Sequence, residues 1–144
     1  MFIEQLSNAG ALPSLELTMR FAAQRQRVIA HNIANVSTPG YRAKHLDPRA
    51  FQESLKDALD ARKADRSKPF AIAGNGQAET GDSGFLEVTP SELPPQNVLF
   101  HDGTNTSIER EMADLAETGM AHELAAALLR GNFDGLRKAI RGTV

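Results

Sequence analysis

The sequence predicts a mainly α protein. Long N- and C-terminal helices pack as an antiparallel, coiled-coil-like pair, with a short middle helix and a loop-rich insert that holds at most a small β element. Three observations carry this. Apolar residues recur at spacings of three and four near both ends of the chain. Pro and Gly gather between them: of 7 prolines and 11 glycines, Pro69, Pro90, Pro94, Pro95, Gly74, Gly76, Gly81, Gly84 and Gly103 fall within 64–103. The only strand-like runs there, "PFAIA", "FLEV" and "NVLF", are too short for a robust sheet.

The N-terminal division, 1–46, begins with a stripe of Leu12, Leu15, Met19, Ala22, Gln26, Ile29, Ile33 and Val36. Glu16, Arg20, Gln24 and Arg27 lie opposite. Pro13 fits a first helical turn, where its missing N–H costs nothing. The stripe is narrow, as in a coiled-coil seam, and predicts a helix over 13–35. Asn35 is placed to end it as a left-handed C-cap. Pro39 pushes Thr38 out of the α region, and Pro-Gly favours a type II turn.

A short helix follows over 47–63, with Asp47 as N-cap, Pro48 at its first position, and Phe51, Leu55, Ala58 and Leu59 on one face. The insert, 64–103, reads as flexible unless a partner covers it. The last division, 104–144, opens on the capping-box spacing of Thr106 and Glu109. Ile108, Met112, Leu115, Gly119, His122, Ala126, Leu129, Phe133, Leu136 and Ile140 then repeat the stripe, which Met120, Leu124 and Leu128 widen. Gly131 and Gly135 stand where they would bend or break the helix. The four divisions together form one structural domain.

Composition narrows the function. At 41% apolar and 6% aromatic residues, without Trp, the chain has a thin core for its 144 residues. A net charge of −2 with dispersed Lys and Arg points away from nucleic acid. There is no cysteine, so no disulfide or thiolate site. His31, His45, His101 and His122 lack metal-ligand spacing. "DGTNTS" fails the calcium-loop pattern, and "GNGQAETGDSG" lacks the Gly-Lys-Ser/Thr of a phosphate loop. Glu109 and Glu111 read as a solvated first turn suited to the helix dipole. No catalytic constellation emerges, so the expectation is a non-enzyme with no cofactor, metal or small-molecule substrate. "MFIEQLSNAG" has no basic leader region, which argues against a cleaved signal peptide, and no apolar run is long enough to span a membrane.

Two helices alone leave much apolar stripe uncovered, so the pattern implies lateral packing against further chains. The stretch "HNIANVSTPGYRAK" is richer than a helix end requires. Asn32 and Asn35 flank Ile33 and Ala34, while Thr38 and Tyr41 bracket the turn. Each amide offers two donors and an acceptor, enough to tie the helix end to a neighbouring backbone.

"NIANVSTPGY" resembles the signature of bacterial flagellar axial proteins: Asn-hydrophobic-Ala-Asn, two variable residues, then Thr-x-Gly-aromatic. Asn32, Ile33, Ala34, Asn35, Thr38, Gly40 and Tyr41 match every fixed position. Glu111-Met112 and the tail residues Phe133, Leu136, Ala139, Ile140 and Gly142 resemble the proximal, FlgB-type group of the flagellar basal-body rod protein family. His31 and Ser37 replace frequent Asn residues, and Thr104 replaces the first Asn of a turn.

The resemblance implies a structural subunit of the periplasmic rod, exported without a cleaved leader and polymerising through its terminal helices. Its partners would be copies of itself, other rod subunits, and at the base a rod–membrane-ring adaptor and the export apparatus. Asn32, Ile33, Ala34, Asn35, Thr38, Pro39, Gly40 and Tyr41 would form the assembly joint. Leu12, Leu15, Met19, Ala22, Ile29, Ile33, Val36, Ile108, Met112, Leu115, Leu129, Phe133, Leu136 and Ile140 would form the helix-packing interface. The rival reading is a soluble helical adaptor or chaperone that holds partner helices.

Overall fold

A computed structural model describes residues 11–65, 70–81, 84–93 and 107–142. It is mainly helical, as expected. Helix α1 spans Leu12–Ala34, α2 Pro48–Ala64 and α3 Ile108–Arg141. Strands β1 (Lys44–His45), β2 (Ala78–Thr80), β3 (Leu86–Val88) and β4 (Ser91–Glu92) form two antiparallel two-stranded sheets, β1 with β4 and β2 with β3. The most extensive contact between elements is α1 on α3.

Local chemistry sets the helix ends. Asp47 caps α2 by accepting from the Arg49 N–H, with Pro48 at the first position. Ser107 caps α3 by accepting from the Arg110 N–H; Thr106, expected in that role, lies outside the described residues. At the end of α1, Asn35 is not left-handed (φ −109°, ψ 7°). Its Nδ2 donates instead to the His31 carbonyl at 2.8 Å, satisfying a last-turn acceptor without a positive φ. Helix α3 runs unbroken through Gly131 and Gly135, each costing propensity without ending the helix.

The small core lies on a side of α1 that the stripe does not include. Leu17 and Phe21 pack with Leu46, Phe51, Ala58, Ile72 and Ala78, and Phe21 stacks on Phe51 with ring centroids 4.0 Å apart. Helix α1 is therefore apolar on two faces, not one. The insert is correspondingly more than a flexible loop: Ile72 and Ala78 are buried, and Leu86 and Val88 pack against them. "FLEV" supplies β3, whereas residues 70–73 of "PFAIA" are irregular. "NVLF" lies outside the described residues.

Two side-chain amides organise this lobe. Asn75 Oδ1 accepts from the Gln77 and Ala78 N–H groups, shaping the entry to β2. Gln77 Oε1 accepts from the Asp47 N–H, and its Nε2 donates to the His45 carbonyl and Ser91 Oγ. One side chain thus ties the start of α2, β1 and β4 to the hairpin.

Candidate functional site

The joint is built where α1 ends and the chain doubles back. Thr38 N–H donates to the Asn35 carbonyl at 2.9 Å, and Tyr41 N–H donates to the Thr38 carbonyl at 3.1 Å. Gly40 sits at φ +73°, so Pro39-Gly40 forms the type II turn that the sequence predicts. This reversal brings Lys44 beside Asn32, one turn back from the helix end.

Asn32 is 1% exposed, and its amide is fully used. Oδ1 accepts from the Tyr41 hydroxyl at 3.0 Å and the Lys44 N–H at 3.1 Å. Nδ2 donates to the Lys44 carbonyl at 2.7 Å and to Glu111 Oε2 at 3.1 Å. The amide orientation is forced, because a backbone N–H can only donate and a carboxylate can only accept. Tyr41 spends its single proton on Asn32, so His31 Nδ1, 2.8 Å away, carries the hydrogen between them. Burial raises the Tyr41 pKa, and the Glu111 charge raises it further.

Glu111 is the residue that sequence reading misplaced. It sits in the first turn of α3 yet is only 3% exposed, facing α1 and not solvent. Its neighbour Glu109 is exposed as expected. The sequence pattern held no signal for this, because Thr118 and Ala125, seven and fourteen residues on and buried on the same face, lie off the apolar stripe. One turn pair further along the seam, Arg25 donates to Thr118 Oγ1 and lies 3.6 Å from Asp114.

The structure brings together Asn32, Tyr41 and the backbone beyond the turn. Ile33 and Asn35 are half-buried, while Ala34, Thr38, Pro39 and Gly40 are exposed. Among the expected helix-packing residues, Leu12, Ala22 and Ile29 are buried, and Leu15, Met19, Ile33, Val36, Leu115, Leu129 and Leu136 are half-buried. Ile108, Met112, Phe133 and Ile140 are exposed and contribute little to the intrachain seam. Phe133 and Ile140 follow from a length mismatch: α3 has 34 residues and α1 23, so α3 overhangs its partner. Among the described residues no three His, Asp or Glu side chains converge as metal ligands, and no helix is long and apolar enough to cross a membrane.

Comparison with known proteins places this joint in context. Residues 18–42, most of α1 and the turn, match the model of the flagella basal body rod protein family. The chain is 31% identical over 134 residues to the flagellar basal body rod protein FlgB of Borrelia hermsii, covering 89% of this chain and 96% of that one. Against FlgB of Bacillus subtilis it is 27% identical, covering 93% and 95%, and against FlgB of Escherichia coli 29%, covering 90% and 97%. With the motif, the paired terminal helices and a match along nearly the whole length, the chain belongs to the FlgB family of flagellar basal-body rod proteins, structural components and not enzymes.

Proposed function

We propose that this rod subunit polymerises through α3, whose outer face is a helix-packing surface for neighbouring subunits. The observation that carries this is an apolar stripe turned away from α1. Met120, Leu124 and Leu128, at four-residue spacing, are 65%, 62% and 48% exposed. They lie roughly a third of a turn around α3 from the buried Glu111, Thr118 and Ala125. Exposed Ala113, Ala116, Ala127 and Gly131 flank them, small enough to let another helix approach closely. Among the described residues nothing covers this apolar side of α3, and family membership supplies the kind of partner: copies of this chain and other rod subunits.

In this reading the joint is the fixed corner from which each subunit presents α3 at the same angle. The chain stands in the periplasmic part of the rod, where the base of the assembly meets the membrane-ring adaptor and the export apparatus. The test replaces Met120 and Leu124 with Glu. The purified variant keeps its circular dichroism and denaturation midpoint, because both positions face solvent in the single chain. Basal bodies isolated from cells that carry only this variant contain no rod. Normal rods in such cells overturn the reading.

A further inference from the structure

The α1–α3 seam carries two kinds of column at strict seven-residue spacing. One is mostly apolar: Leu15, Ala22 and Ile29 on α1, and Leu115, His122 and Leu129 on α3. The other holds polar pairs: Arg25 and Asn32 on α1 bond Thr118 and Glu111 on α3, with Thr18 and Ala125 one heptad further along. Asn32 bonds Glu111, and Arg25, seven residues earlier, bonds Thr118, seven residues later. The same step brings Thr18 level with Ala125.

We propose that the Asn32–Glu111 and Arg25–Thr118 pairs are a register lock, which holds α1 against α3 in a single alignment. This is separate from the polymerisation reading, since it concerns one chain alone. Apolar layers tolerate sliding by a heptad at modest cost, because each methyl group finds another. Polar layers do not. A slip in one direction sets Arg25 against Ala125 and strips Glu111 of Asn32. A slip in the other sets Arg25 against Glu111, but it carries Asn32 past Ser107, the cap of α3, and gives Thr118 the short Thr18 in place of the guanidinium. The first leaves the guanidinium of Arg25 facing a methyl group, and both break the buried bond between Asn32 and Glu111, a costly loss for a polar group. A subunit that meets many similar apolar helices during assembly needs such discrimination, and a buried polar residue in a helical seam supplies it at some expense in stability.

The pairs also couple the lock to the joint. Asn32 holds Lys44 with one end of its amide and Glu111 with the other, so the turn and the seam are set by one side chain. Glu111 is therefore a positioning residue for the motif, contributed from the far end of the chain.

The natural absence of cysteine makes the test clean. Two cysteine pairs are introduced into the full chain: T18C/A125C reports the native alignment, and T18C/N132C reports a slip of one heptad. With native seam residues, a short bismaleimide links the first pair and leaves the second nearly unreacted. In a R25L/E111L background the helices persist, although the denaturation midpoint falls, because Asn32 Nδ2 and Thr118 Oγ1 lose their partners. The slipped link nevertheless increases about tenfold relative to the native one, the change produced by losing about 1.4 kcal/mol of preference. E111Q keeps an acceptor for Asn32 and retains the native cross-linking ratio. Should R25L/E111L lose its helices, E111L alone, with Arg25–Thr118 intact, is compared with E111Q by the same ratio. An unchanged ratio in the folded leucine variant overturns the proposal.

Discussion

Asn32 Nδ2 donates to Glu111 Oε2 at 3.1 Å, joining residues 79 apart in sequence and both almost wholly buried. The contact sits where α1 ends and α3 begins, so the two termini of the helical pair are pinned at their shared end. Asn is the side chain the site requires. It needs two donors for the Lys44 carbonyl and the carboxylate, and one oxygen to receive both Tyr41 and the Lys44 N–H. Leu fills the volume but satisfies none of these, and Gln reaches one methylene too far.

Replacing Asn32 with Ala is expected to destabilise the chain by about 2–4 kcal/mol, since several buried partners lose their bonds together. Asn32→Asp tests the electrostatics. It places a second carboxylate against Glu111, and such pairs resist joint ionisation, so the shared proton is held more tightly in the folded state. A pKa raised on folding contributes stability at low pH that is lost as pH rises. The deficit of the Asp variant relative to the natural chain should therefore shrink as pH falls from about 7 to about 4. Urea denaturation at several pH values measures this, and a deficit independent of pH contradicts it.

Tyr41 offers a second readout, because it is the only tyrosine and there is no tryptophan. Its pKa is raised by burial first and by the Glu111 charge second. The neutral phenol is thus favoured by folding: this stabilisation is complete below 10.0, the ordinary value, and is lost as pH rises through the higher folded value. Tyrosinate absorbance should titrate later in the folded chain than in urea. E111Q should move the folded titration part of the way back, leaving the contribution of burial. A midpoint unmoved by E111Q removes the carboxylate from the account.

How much of this was legible beforehand differs by element. Helices α1 and α3 declared themselves by spacing, and α2 by Asp47-Pro48, because local pattern and local capping suffice there. The Pro39-Gly40 turn was equally readable. Leu17 and Phe21 were not, since a stripe chosen by one period hides a second buried face on the same helix. Ile72 and Ala78 were lost in a Gly-rich stretch whose order comes from the Asn75 and Gln77 side chains and not from backbone propensity. Glu111 was misread because carboxylates in a first turn are usually solvated. Only the tertiary partner, Asn32, gives it a reason to be inside.

The Phe21–Phe51 stack tests whether the small lobe depends on α1. Phe51→Ala opens a cavity beside Phe21, Leu46 and Ile72, and such truncations cost about 3–5 kcal/mol. Phe51→Leu should cost much less, since most of the volume stays. Denaturant midpoints order the two variants. Equal, small effects would mean that the lobe is not packed on α1 as described.

The turn provides the sharpest separation of backbone from contact. Among the described residues nothing lies within 4 Å of a Cβ placed on Gly40, so the cost of a side chain there comes from φ. At φ +73° an alanine is disfavoured by about 1–2 kcal/mol, and a β-branched residue by more. Asn adopts this region more readily than other non-glycine residues. Stability should therefore fall in the order Gly, Asn, Ala, Val at position 40, as measured by denaturation. The same series is expected to grade rod assembly. Gly40→Val should leave a soluble, exported subunit that fails to enter the rod, because Lys44 no longer reaches Asn32 at the required angle. If Val and Asn destabilise equally, the positive φ is not what glycine supplies; if Gly40→Val cells swim normally, the turn is not what sets the joint.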